Sequence, residues 1–372
     1  MRILRYPWGG NLGDTLQSRV FELYLRENYQ NLDINYLGRD FPMASIGNRL
    51  EDEFNNDTRD ILLTGWLSQN PSRFLSIQRN LMGLVGVHLA TEGSLANNKL
   101  GIRHLFLSET FRNEFRGYSA SSRDFSTRDF LEDRGFQAPF VGCVSSLISQ
   151  VDLSFIPRYA KSDLLFVDID SNIQNCFTEK HFQGKTVIHL SNRVNEIYGE
   201  NEKLRKIDHL IGRILSSELV VTGRLHVALP AIALGKPTVL ISNIDPRYGG
   251  ISEFLNIISP SSFLNSQDVS KIVELAQSSP KSEIQLMTEQ VASHVSKVVK
   301  MPPREKMEGN RHEYEAQVLT EIASELLYFK ENSDEMLNSR SWKLTSPLRK
   351  TLEIRRSISR RAYQGLRKSK LS

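Results

Sequence analysis

The chain has 372 residues, 40% of them hydrophobic and 24% charged, with a formal net charge of +4. That length exceeds one ordinary core and predicts two domains, and the composition excludes a disordered or fibrous chain. Its two cysteines, Cys143 and Cys176, stand in separate segments, which excludes a zinc or iron–sulfur framework and reads as free thiols, a disulfide being the alternative.

No apolar run approaches a membrane span, and the first residues lack the layout of a signal peptide, so the body is expected in the cytoplasm. The charge is uneven. Residues 340–372 hold eleven Lys/Arg and one acid, Glu353, so this tail carries +10 and the preceding residues −6. The overall basic balance therefore belongs to the tail, and no nucleic-acid partner is expected for the body.

Residues 3–6 predict a first strand, followed by a glycine-rich loop over 7–13. Asp14 stands at the expected N-cap of a helix through about residue 27, with Leu16, Val20, Phe21 and Leu25 on its apolar face. The loop lacks the G-x-G-x-x-G spacing of a dinucleotide site. Asn11, Asp14 and Gln17 either orient a polar ligand or cap the helix locally.

Strands are expected at 33–37, 60–64 and 84–90. Trp66 follows the second of these, as a stacking platform for a sugar ring or as core. His88 lies inside an apolar strand and reads as a structural imidazole. Further short strands are expected at 102–108 and 118–121, then a helix over 128–134 capped by Ser126 or Thr127, and a return to the sheet at 140–142. Arg123 falls at a strand end, where it either meets a substrate phosphate or pairs structurally with Asp124 or a nearby loop.

Residues 149–162 form a candidate linker. Strands follow at 164–169 and 186–190, and a helix over 201–216 leads into the apolar run 219–222. His189 ends a strand at the same sheet edge and is a secondary site candidate. His209, within the helix, reads as a surface or satisfied residue. Gly223 breaks the 219–222 strand, Arg224-Leu225-His226 follows, a small-residue helix occupies 228–234, and Gly235 and Pro237 lead into a strand at 238–241. Ligands of open α/β sheets sit where strands end and helices begin. A helix start with a guanidinium and an imidazole suits an anionic substrate, although both side chains could simply cap the turn. Arg247 lies in the loop after the next strand as a second candidate anion clamp. Helices are expected at 269–277, 283–299 and 312–330. The alternation predicts an α/β fold of doubly wound parallel sheets.

The segment 219–243 resembles the signature of the polysaccharide pyruvyl transferase family: a strand ending in a small residue, Arg-Leu-His, a small-residue helix, Gly-x-Pro and a strand. Residues 10–17, GNLGDTLQ, resemble the family's Asn-x-Gly-Asp loop. Residues 122–147 resemble its segment of Arg-Asp, helix, glycine and strand. The chain departs from the pattern at Gly223, where Ser is common, and at Val227, where Gly or Ala is usual; the bulk of Val227 is expected to bear on the acceptor pocket.

The resemblance implies two Rossmann-like domains in a glycosyltransferase-B-like arrangement, with 1–155 on the acceptor side, 156–330 on the donor side and 331–372 as a basic tail. It implies transfer of pyruvate from phosphoenolpyruvate to a sugar of a bacterial surface polysaccharide as a ketal, with phosphate released. Arg224 would hold the donor, and His226 would be the acid/base. Arg123, His189 and Arg247 would be lesser substrate contacts, and the loop with Asn11, Asp14 and Gln17 would present the saccharide, free or lipid-linked. No metal or cofactor is required. The alternatives are a nucleotide-sugar-dependent glycosyltransferase of the same build and a non-catalytic polysaccharide-binding relative. Residues 339–349 also resemble a short segment ending some bacterial surface-polysaccharide glycosyltransferases. Trp342 and Leu344 among Lys/Arg suit a helix lying on the anionic inner face of the membrane, and a protein partner is the alternative.

Overall fold

Ten parallel strands, divided into two sheets, organise the described residues. The computed structural model describes residues 1–5, 10–30, 32–38, 61–67, 74–75, 81–89, 101–180, 182–194, 199–243, 248–266, 268–278, 281–301 and 311–338. The first sheet holds β1 (Arg2–Arg5), β2 (Asn35–Gly38), β3 (Ile61–Leu67), β4 (Leu81–Leu89) and β5 (Ser119–Ser122), in the order β2-β1-β3-β4-β5. The second holds β6 (Ser162–Val167), β7 (Val187–Leu190), β8 (Ser217–Thr222), β9 (Thr238–Ile241) and β10 (Ile257–Ile258), in the order β10-β9-β8-β6-β7.

Counted from its own first strand, each sheet has the order 2-1-3-4-5. The winding reverses between β1 and β3 in one sheet and between β6 and β8 in the other. Loops at such a reversal diverge and leave a crevice at the carboxyl ends of the strands.

The strands are apolar runs because both faces of each sheet are covered. On the first sheet, Leu63, Leu84 and Val87 pack under Phe111, Phe115, Val318 and Ile322, while Leu62 and Val85 pack under Leu16, Val20, Val291 and Val295. On the second, Phe166 and Val221 meet Ile173, Phe177 and Phe263, while Leu165 and Val220 meet Leu210, Ile214 and Ala231. The two last helices, Lys281–Val299 and Arg311–Asn338, come after the second sheet in sequence and yet contribute to the cores of the first.

Several elements differ from their sequence expectations. Residues 102–108 hold a 3-10 helix, Ile102–Leu107, instead of a strand. It runs into the helix Glu109–Phe115, whose N-cap Ser108 accepts the Phe111 N–H at 3.0 Å. The first long helix, α1, is Leu12–Asn28, and its N-cap is Asn11. Asn11 Oδ1 accepts the Gly13 N–H at 3.1 Å, which leaves Asp14 inside the first turn. The helix Phe125–Glu132 is capped by Asp124, whose Oδ1 accepts from Thr127 N at 2.9 Å, in place of Ser126 or Thr127. The return to the first sheet near 140 is a single bridge between Ser122 and Phe140. The last helix continues to Asn338, so residues 331–338 extend it, and the remaining tail lies outside the described residues.

Candidate active site

The second sheet's crevice is built from the ends of β6 and β8. Thr222 closes β8 by donating its hydroxyl to the Val167 carbonyl at 3.1 Å and accepting the Arg224 N–H at 3.0 Å. Between them, a Cβ on Gly223 would lie 2.7 Å from the Asp168 carbonyl oxygen. The backbones at the ends of β6 and β8 approach too closely for a side chain, which accounts for glycine at this position. Arg224 is the N-cap of the helix Leu225–Ala233, the α2 of this description. Ala228 and Ala231 are fully buried and let it lie close against its neighbours. Val227 is buried with Val167, Leu210 and Val220. Its bulk fills core, which corrects the expectation that it bears on an acceptor pocket.

Arg224 Nε donates to Asp168 Oδ2 at 2.6 Å. Asp168 stands just past β6 with φ of +51°, a left-handed conformation that Asp tolerates better than most residues. Its other oxygen accepts from Ser191 Oγ at 2.9 Å and from the Asn192 N–H at 3.2 Å. Asn192 in turn reaches the first sheet. Its Nδ2 donates to Asn11 Oδ1 at 3.2 Å, and its carbonyl accepts the Leu12 N–H at 2.9 Å. Asn11 and Arg193 form an antiparallel bridge, so the loops after β1 and β7 are stitched together across the two sheets.

His226 turns to the other side of this seam. Its Nδ1 lies 3.1 Å from Gln17 Nε2 and 3.9 Å from Asp14 Oδ1. Its Nε2 lies 3.4 Å from Arg123 Nη1. Both ring nitrogens therefore face donors, the Gln17 amide at Nδ1 and the Arg123 guanidinium at Nε2, and the lone pair of the neutral ring can accept from one of them at a time. A Cβ on Gly13 would lie 3.0 Å from both Cβ and Nδ1 of His226, which is why α1 approaches the imidazole through a glycine. Gln17 is 0% exposed and accepts from Cys143 Sγ at 3.4 Å.

Arg123 is 3% exposed, and its own N–H donates to the Val87 carbonyl at 2.8 Å. The pairing with Asp124, one of the alternatives for Arg123, does not form. Asp124 directs its carboxylate at His88 Nδ1 (2.7 Å) and at the Thr127 N–H (2.9 Å). Among the described residues Arg123 has no ion-pair partner, and its buried Nε has no hydrogen-bond partner. A buried guanidinium without a counter-charge is costly, and this one is aimed at the imidazole.

The structure thus brings Asn11, Asp14, Gln17, Arg123 and His226 into one cluster and joins Arg224 to it through Asp168, Asn192 and Asn11. His189 is exposed at the end of β7, stacked on Phe166, and shares no hydrogen bond with His226 or Arg224 among the described residues. Arg247 lies outside the described residues, as does the side chain of Trp66. His209 is satisfied by the Tyr159 hydroxyl at 2.7 Å. Among the described residues no group of three His, Cys, Asp or Glu is placed to hold a metal ion, and no helix is long and apolar enough to cross a membrane.

Asp168, Asn192 and Cys143 were not candidates from the sequence. A carboxylate directly after the run LLFV, at the end of a strand, was the available signal for Asp168. Asn192 and Cys143 had none.

The two parallel sheets thus meet at a seam where strand ends present an imidazole and a buried guanidinium. The family model of the polysaccharide pyruvyl transferases matches residues 11–246, which includes every member of the cluster. The chain belongs to that family, and is a transferase with a saccharide acceptor. Solved structures similar to it include an uncharacterized protein from Klebsiella pneumoniae (TM-score 0.42, 16% identity, covering 69% of this chain and 92% of that one). The S. aureus MnaA–UDP structure has a TM-score of 0.46 at 10% identity, covering 83% and 99%. The E. coli heptosyltransferase WaaC has a TM-score of 0.37 at 11% identity, covering 74% and 99%. No curated protein matches the chain.

Proposed function

We propose that this protein transfers pyruvate from phosphoenolpyruvate to two hydroxyls of a saccharide as a ketal, with release of phosphate. The observation that carries the reading is Arg123: a nearly fully buried guanidinium, without an acidic partner among the described residues, 3.4 Å from Nε2 of an imidazole. Phosphoenolpyruvate brings the missing negative charge and, in its methylene carbon, a group that must be protonated beside it.

In this reading Arg123 and Arg224 hold the donor's phosphate and carboxylate, Arg224 steadied by Asp168. His226 delivers a proton to the methylene carbon, and the adjacent carbon becomes electrophilic. One sugar hydroxyl adds there and returns its proton to His226, phosphate departs with the C–O bond electrons, and the second hydroxyl closes the ketal as its proton passes to the leaving phosphate. Gln17 and Asp14 hold the plane of the ring from its Nδ1 side. The first sheet supplies Asn11, Asp14, Gln17 and Arg123 to the seam and the second supplies Arg224 and His226, and the basic tail carries the enzyme to the inner membrane face where a lipid-linked acceptor resides.

The test is phosphate release from phosphoenolpyruvate with an oligosaccharide repeat as acceptor, together with mass analysis of the saccharide for a gain of one pyruvate less one water. His226→Ala is expected to lower turnover by about a hundredfold, as for loss of a positioned acid/base. A nucleotide released from a nucleotide sugar, with no phosphate from phosphoenolpyruvate, would replace this reading with the glycosyltransferase one.

A further inference from the structure

A cavity of about 400 Å³ opens at the carboxyl end of the edge strand β7, beside the seam. His189 and Arg193 line it from the β7 end and the following loop, and Lys206 and His209 from the helix Glu200–Ser216. Leu12 closes it from the first sheet. No acid lines it.

Among the described residues nothing opposes the charges of this wall. Arg193 and Lys206 are both exposed, and among the described residues neither is in an ion pair. Asp208, on the same helix, instead faces Arg19, 3.6 Å from its Nε. His209 is anchored by Tyr159, and its imidazole is held below the usual range, first by burial and then by Arg213 and Lys206. His189 has its ring plane set by Phe166, with centroids 5.3 Å apart and 28° between the planes. Two cations and two oriented imidazoles around one concavity form a multidentate anion site, and the volume suits a phosphate or diphosphate with the edge of an attached sugar.

We infer that this cavity binds a phosphate-class anion carried by the saccharide acceptor. The inference rests on the reading of the seam as the place of transfer and adds the acceptor's chemistry to it. Arg193 and Lys206 clamp the anion, and His189 and His209 donate from the sides. Leu12 directly precedes Gly13, which touches His226, and Arg193 is bridged to Asn11. A sugar attached to the held anion thus extends along the start of α1 toward the imidazole. The same anion chemistry is available from a glycosyl diphosphate and from free inorganic phosphate.

The full-length protein is titrated with inorganic pyrophosphate by calorimetry at fixed ionic strength. The double variant Arg193→Ala/Lys206→Ala is expected to weaken binding by about tenfold or more, the size of one or two charge-assisted hydrogen bonds. Arg123→Ala, which removes the donor-side cation, is expected to leave most of the pyrophosphate affinity. The reverse pattern overturns the site. This arm requires no turnover, so it stands or falls independently of pyruvyl transfer. Circular dichroism of each variant verifies the fold, and Arg193→Gln/Lys206→Gln repeats the measurement if the alanine pair unfolds. A second arm compares one saccharide with and without a reducing-end diphosphate. The diphosphate form is expected to have the lower KM, and Lys206→Ala to shrink that advantage by about tenfold. Equal KM values for the two saccharides would make the cavity a site for free phosphate and overturn the acceptor assignment.

Discussion

Arg123 Nη1 lies 3.4 Å from His226 Nε2, although 103 residues separate them in the chain. The contact joins the end of β5 to the start of the helix after β8, so the imidazole and its guanidinium come from different sheets. Any change in how the sheets meet changes this distance first.

A buried guanidinium with no acidic partner among the described residues is a burden on the free protein. Arg123→Met removes that burden while keeping an apolar stem of similar length. The variant is expected to melt at a higher temperature than the parent and to lose the thermal shift that phosphoenolpyruvate induces. A lower Tm with an intact ligand-induced shift would show that Arg123 serves the fold.

Gly13→Ala places a methyl group 3.0 Å from Cβ and Nδ1 of His226. The ring must move by a few tenths of an ångström, while alanine favours the helix it enters. Turnover is expected to fall by about tenfold or more, because a positioned acid/base tolerates little displacement. Tm is expected to change little. Steady-state kinetics beside thermal melting separates the two effects.

Asp168→Asn keeps an acceptor for Ser191 and tolerates the left-handed backbone, but removes the charge that holds Arg224 at 2.6 Å. The loss of this charge-assisted hydrogen bond is expected to cost about 1.5 kcal/mol in kcat/KM for the donor. Asp168→Ala, strained as well as unpaired, is expected to cost more and to lower Tm. Equal kinetics for parent and Asn variant would remove Asp168 from the site.

Glu321 ties the last helix to the first sheet's flank. Its carboxylate accepts from Ser108 Oγ (2.7 Å), Thr110 N (3.0 Å), Thr110 Oγ1 (2.6 Å) and Gln317 Nε2 (3.1 Å). Burial raises its pKa, but these hydrogen bonds outweigh burial and hold it at about 2, below the ordinary 4.5. A depressed carboxyl stabilises fully above its unfolded value and loses that contribution as pH falls through its folded value. Glu321→Gln is therefore expected to lower Tm by about 2–4 °C near neutrality, with the difference from the parent shrinking between pH 4.5 and 2. Melting curves across that window check the sign.

The strands were legible because parallel sheets bury both faces: LLFV, LVVT and TVLI are apolar runs with turn signals at their ends. The Arg-Leu-His turn was legible because a strand end followed by a helix start is written locally. What depends on one helix turn was less legible. Asn11 and Asp14 are both capping residues, and Asn11, which takes the cap, is also held by Asn192 from the other sheet, a contact no local pattern encodes. The run IRHLFL is too short for its periodicity to separate a strand from a 3-10 turn. The pairing of Arg123 with His226, and the diversion of Asp124 to His88, depend on distant segments meeting, and no spacing encodes that. For the same reason Arg224 read as the leading guanidinium, whereas the one that reaches the imidazole comes from the other sheet.

The last helix ends at Asn338 after leaving Tyr314, Val318 and Ile322 in the core under β3 and β4. Residues 339–372, with their ten excess positive charges, are therefore rooted on the opposite sheet from the Arg-Leu-His turn. Whatever surface those charges grip, they are joined in sequence to the half that carries Asn11 and Arg123, so a pull on them is felt first on the Arg123 side of the imidazole.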